Sequence, residues 1–224
     1  MTCAAIISKT GANLALNSAF RIPHSAIRIS AMRPMILALA LLLAPTAHAA
    51  TFGDQTPYGT SFAIRDVVGA IAASPSQSGV CDSITGYFKF NLDSCKARCA
   101  LYTISGNDTV LLANGVSEER WFAANALFTW QGFAFTGPKP VVVEGATYFI
   151  AAFGDTAGSG TAGLPRIGVN TGAGPVISKN SNYESGFPTP LNPTSSTVNF
   201  KMSAYVTYTP TPATAPRRRI VSRP

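Results

Sequence analysis

Histidine, cysteine and paired carboxylates carry most protein catalysis and metal binding, so their number and spacing come first. The chain has two histidines, His24 and His48. Both stand before Ala49, where the chain is expected to be cut on export, so the mature protein is expected to hold none. Without imidazole, Ser-His-Asp and Cys-His catalysis lose their general base. Histidine-ligated zinc and the two-histidine-one-carboxylate iron site are excluded with them. No catalytic residue, metal ligand or cofactor is assigned, and the protein is expected not to be an enzyme.

Cys3 also precedes the cut, which leaves Cys81, Cys95 and Cys99. In an oxidising compartment these thiols allow one disulfide and leave one over. A Cys95–Cys99 bridge needs a turn, because extended residues four apart are too distant to bond. A Cys81–Cys95 or Cys81–Cys99 bridge would tie neighbouring strands, and the pairing stays open. Paired carboxylates would suit glycoside hydrolysis. Glu118 and Glu119 are adjacent, however, and would face opposite ways on a strand. Asp54, Asp82, Asp108, Asp155 and Glu184 are scattered along the chain. Asn107-Asp108 and Gly154-Asp155 offer oxygen ligands for calcium but lack a repeated Asp pattern, so they read as turns. Gly158-Ser159-Gly160-Thr161-Ala162-Gly163 matches a dinucleotide fingerprint. That site needs a helix start directly afterwards, and Leu164-Pro165 follows instead.

The aromatic residues remain. Trp121, Trp130, Tyr87, Tyr148, Tyr183 and Tyr205 are of the type that stacks on sugar rings. Trp130 alternates with Phe133 and Phe135, and Tyr148 with Phe149, so part of this set belongs to a core. Trp121, in a polar stretch between strands, is the first candidate for an exposed ligand-binding residue. Tyr183, between Asn182 and Glu184, is the second.

The elements that would position these residues are strands. Only 12% of residues are charged, against about 25% in an average domain. With 19 Gly and 16 Pro, this mix suits short strands and many turns. Ile84, Phe88 and Phe90 alternate with polar neighbours, as do Val198, Phe200, Met202, Ala204, Val206 and Tyr208. Further strands are expected at 97–104, 109–116, 127–135, 141–143 and 147–153. Residues 117–126 could form one helical turn but read better as a loop. Residues 154–197 read as long loops around two short strands at 167–169 and 176–178. The expected fold is all-β, an antiparallel β-sandwich of jelly-roll type.

Met32-Arg33-Pro34, the apolar run Met35–Leu43 and Ala47-His48-Ala49 have the order of a signal peptide. The run is too short to span a membrane, which takes about 20 residues. Residues 1–31 exceed a normal leader, and Met32 or Met35 is the more natural start. The organisation read from the chain is therefore an N-terminal extension plus signal peptide at 1–49 (signal proper 32–49), a sandwich domain at 50–208, and a Pro-rich linker with a basic tail at 209–224. The formal charge of +7 comes from the two ends, since the part between holds nine basic and ten acidic residues. That part lacks the basic cluster a nucleic-acid face needs.

Ile84-Thr85-Gly86-Tyr87-Phe88, Ala97-Arg98-Cys99-Ala100-Leu101-Tyr102, Phe128-Thr129-Trp130-Gln131-Gly132-Phe133 and Val143-Glu144-Gly145-Ala146-Thr147-Tyr148-Phe149-Ile150-Ala151 follow one another in this order. In this the chain resembles secreted bacterial jelly-roll domains that precede a PEP-CTERM-type sorting anchor. The resemblance covers roughly 51–208 and implies surface, matrix or glycan binding without a catalytic motif. Here Arg217-Arg218-Arg219 follows the linker where such relatives carry an apolar anchor helix. The expectation is a secreted, periplasmic or cell-surface protein with no membrane span in its mature chain. Its expected partner is a polysaccharide or cell-surface component. A structural envelope or assembly role is the alternative, and a polysaccharide hydrolase ranks third.

Overall fold

The computed structural model describes residues 48–90, 94–155, 164–192 and 198–212, all within the unit Ala47–Pro224. Residues 1–47, which hold most of the expected signal segment, the glycine-rich 158–163 motif and the basic stretch from 213 lie outside the described residues.

Alternating side chains make strands wherever one face can be buried. The chain forms β1 (Ala50–Gly53), β2 (Thr60–Ala63), β3 (Val67–Ala73), β4 (Gly79–Phe90), β5 (Cys95–Ser105), β6 (Asp108–Val116) and β7 (Arg120–Phe122). It continues with β8 (Ala126–Ala134), β9 (Val141–Val142), β10 (Tyr148–Gly154), β11 (Pro165–Asn180), β12 (Val198–Met202) and β13 (Ala204–Pro210). A single 3₁₀ turn spans Tyr183–Ser185, and there is no α-helix among the described residues.

The strands form two antiparallel sheets packed face to face, a β-sandwich. The first sheet runs β1–β13–β4–β8, with β9 also on β4. The second runs β11–β3–β10–β5–β6, with β7 also on β5. Strand β11 belongs to both: Pro165–Ile167 pairs with β4, and Val176–Asn180 pairs with β3. Along its length it also takes β2 and β12.

Between the sheets lies the main core, built from Ile84, Phe88, Phe90, Leu101, Phe122, Phe133, Ile150, Ile167, Met202, Val206 and Tyr208 among others. Phe90 and Phe122 stack at 3.9 Å between centroids. Each such side chain contributes about 1.5–3 kcal/mol by leaving water. A second core covers the outer face of the second sheet. There Val68, Ala70, Ala100, Tyr102, Ala151 and Phe153 pack under Tyr183, Phe187 and Leu191. The segment 181–192 forms this strap, held by Tyr102 Oη donating to the Pro188 carbonyl at 2.8 Å and Leu191 N–H donating to Thr109 O at 2.7 Å.

Several expectations change. Residues 165–180 form one long strand, not two short ones within loops. Residues 120–122 form a short strand, where a loop was expected. The stretch 198–208 is broken at Ser203, although its alternation is kept, with Phe200, Met202, Ala204, Val206 and Tyr208 all buried. Strands β1, β2 and β3 precede the region where period two is visible. No disulfide joins Cys81, Cys95 and Cys99, which are all buried in the main core.

Candidate functional site

The strap covers the second sheet, whereas the outer face of the first is open. On β4, Ile84, Phe88 and Phe90 point inward, which leaves Ser83, Thr85, Tyr87 and Lys89 on the outer face. The register sets Tyr87 against Trp130 of β8, and Thr85 against both Gly132 of β8 and Tyr205 of β13. The outer face therefore gathers an aromatic strip. Tyr87 stacks on Phe128 at 5.1 Å with planes 12° apart, and it meets Trp130 at 5.1 Å. Trp130 meets Tyr205 edge to face at 5.4 Å. All four rings are half-buried. At Gly132 an added Cβ would meet nothing nearer than Thr85 Oγ1 at 3.9 Å. That open row leaves the Trp130 indole room to lean towards Tyr205. Hydroxyls of Ser83, Thr85 and Thr207 share the face, with Thr51 of β1 beyond them.

The strip has a wall and a charged end. The wall is the loop after β1, where Tyr58 N–H donates to Ser203 Oγ at 3.1 Å and Tyr58 Oη donates to Asp54 Oδ2 at 2.7 Å. Burial acts to raise the Asp54 carboxyl. Hydrogen bonds from Thr56 and Tyr58, with the Lys201 charge, outweigh it and hold the group below the ordinary carboxylate value. Beyond this loop lies a cavity of about 620 Å³ whose lining includes Asp54, Tyr58, Ser74, Phe200 and Lys201. At the charged end, Arg166 of β11 pairs across the strands with Lys89 of β4. Lys89 Nζ lies 5.8 Å from the Phe128 ring centre, and Arg166 Nη1 donates to Ser61 Oγ at 3.2 Å.

The two residues singled out from sequence lie elsewhere. Trp121 is 62% exposed, as expected, but it stands on β7 with Lys96 Nζ 4.9 Å from its ring centre. Tyr183 is 2% exposed, which corrects the expectation of a surface ring: it is part of the strap core. Its hydroxyl donates to Glu119 at 2.9 Å, and the Arg98 guanidinium lies 4.3 Å from its ring centre. Burial, then the Glu119 carboxylate, push its phenol well above the usual value. Lys96 pairs with Glu119 at 3.4 Å, so one chain of contacts joins Trp121 to Tyr183. That chain locks β7 and the strap to β5 and offers a ligand little besides the exposed side of the Trp121 ring.

The remaining reactive groups serve the fold. Burial, with a smaller effect of Asp82, pushes the Cys81 thiol up to about 12, and burial raises Cys99 as well. Thiols so raised are poor nucleophiles at neutral pH. Glu118 accepts the Ala134 N–H, Asp82 pairs with Lys139 at 2.6 Å, and Asp108 accepts from Asn192. Among the described residues no group of three or more His, Cys, Asp or Glu is placed to hold a metal ion. After Leu164 the chain enters β11, so a strand stands where a dinucleotide site would need a helix. No family model, curated protein or solved structure matches the chain.

Proposed function

We propose that the protein is an exported, non-catalytic β-sandwich that binds a glycan of a cell surface or matrix on the open face of β8, β4 and β13. The observation that carries this reading is the contiguous strip Phe128–Tyr87–Trp130–Tyr205, half-exposed among threonine and serine hydroxyls. Pyranose rings are recognised by such surfaces, because C–H groups pack on aromatic carbon while hydroxyls at the rim exchange hydrogen bonds. The chain has two tryptophans, so a Trp121→Phe variant makes intrinsic fluorescence a report on Trp130 alone. Screened on a glycan array, the protein is expected to retain a glycan that also shifts this fluorescence. A glycan that binds without moving it would place the site away from the strip.

A structural role in an assembly is the second reading. It draws on Leu127, Val141 and Val143, exposed by 80%, 58% and 56% on β8, on β9 and directly after it. Concentration-dependent self-association on a sizing column, without glycan retention, would favour it.

A further inference from the structure

We infer that the ligand of this face is an acidic glycan, one that carries uronate carboxylates, and that Lys89 and Arg166 form its anion site. The inference rests on the glycan-binding reading above and adds the chemical class. Lys89 and Arg166 are 77 residues apart in the chain, and the antiparallel pairing of β4 with β11 brings them directly opposite each other. Like charges in that relation repel and destabilise a sheet. No ion pair to either cation occurs among the described residues, whose pairs are Arg65–Asp66, Lys96–Glu119 and Lys139–Asp82.

The other groups around the pair point the same way. Lys89 lies by Phe128, at the end of the aromatic strip, so an anion held there would have a ring of the strip beside it. Arg166 Nε is buried without a hydrogen-bond partner. A buried donor left so is destabilising, a penalty relieved if the guanidinium shifts to meet a carboxylate. A planar guanidinium matches a carboxylate through two parallel N–H donors. The carboxylate on the outer face of β4, Asp82, is neutralised by Lys139 at 2.6 Å and lies seven residues along the strand from Lys89. Asp54, near the far wall, is already engaged by Tyr58, Thr56 and the Lys201 charge.

The test compares uronic-acid hexamers (mannuronate, guluronate, galacturonate and glucuronate) with the same hexamers after chemical reduction of their carboxyls. Titration calorimetry is expected to show at least one uronate hexamer binding about 10-fold tighter than its reduced twin, with the difference fading as salt rises. Lys89→Met and Arg166→Met should each remove most of that difference, while Lys179→Met, whose amine donates to the Pro190 carbonyl on the strap side of the other sheet, leaves it intact. Thermal melts check folding, and Lys89→Gln or Arg166→Gln replaces a variant that melts early. Equal binding of uronate and reduced hexamers, weakened by Trp130→Ala, would overturn the acidic class and keep the strip. Uronate binding unaffected by both cation variants would overturn the anion site. Binding lost in the cation variants but untouched in Trp130→Ala would overturn the strip instead. If neither series binds, both proposals fall.

Discussion

Tyr102, Tyr183, Cys81 and Cys99 are buried with their protons on. Burial is the leading cause in each case, and each folded group ionises later than its ordinary value of 10.0 for tyrosine or 9.0 for cysteine. The folded values are raised, so their contribution to stability is complete below about pH 9. Above that the unfolded chain gives up its protons first, and stability falls as pH rises towards the folded values. Melting temperatures recorded from about pH 7 to 11.5 should stay level to about 9 and then decline, and Tyr183→Phe should soften the decline. A flat profile to the alkaline limit would contradict the burial of these groups. Tyr183 was not legible as a core residue. Asn182 and Glu184 beside it are polar, and one inward ring on a 3₁₀ turn leaves no periodicity to read. Trp130 was named as a stacking residue, but its alternation with Phe133 and Phe135 suggested the core. Its own parity is opposite to that of Phe133, and the outward face is the one it occupies.

Strands were legible where one side of the element meets water. β4 alternates from Ser83 to Phe90, after an irregularity at Asp82-Ser83, and β12 and β13 keep the alternation of Phe200, Met202, Ala204, Val206 and Tyr208 despite the break at Ser203. β3 has no such rhythm. Its Val-Val-Gly-Ala-Ile-Ala-Ala is covered on one side by the partner sheet and on the other by the strap, so successive residues Val68, Gly69, Ala70 and Ile71 are all buried. β11 was hidden by its Gly, Thr, Ser and Pro content, which reads as loop although the strand pairs with β2, β3, β4 and β12. Gly168 shows why a small residue is required on that strand. An added Cβ would lie 2.8 Å from the Tyr58 carbonyl, 3.0 Å from Ser203 Oγ and 3.0 Å from Tyr87 Cδ1. The carbonyl is backbone and yields little, so Gly168→Ala should cost about 1–3 kcal/mol and displace the loop at Tyr58 together with the Tyr87 ring. Urea unfolding would register the cost. An unchanged midpoint would mean that the loop does not press on β11 as described.

At the scale of the molecule, the sandwich stands on packing. Its three described cysteines are buried in one core without a disulfide, so none of the bridges their spacing allowed is formed. Millimolar dithiothreitol should therefore leave the melting temperature unchanged, and a fall of several degrees would show a bridge that the structure lacks. Composition and period two were enough to identify an all-β sandwich. The candidate site was not legible in the same way, because it is assembled by register: Tyr87 meets Trp130, and Lys89 meets Arg166, only once β4 has β8 on one edge and β11 on the other. The basic pair is invisible in a charge count that comes to near balance between the two ends of the chain. What the whole architecture does is cover one sheet with a strap and leave the other sheet's aromatic face open. The most direct test is the affinity of Trp130→Ala and Trp121→Ala, side by side with the parent protein, for a glycan the parent retains. The account predicts a loss of about tenfold or more, about 1.4 kcal/mol, for Trp130→Ala and little change for Trp121→Ala. Undiminished affinity in Trp130→Ala would contradict it.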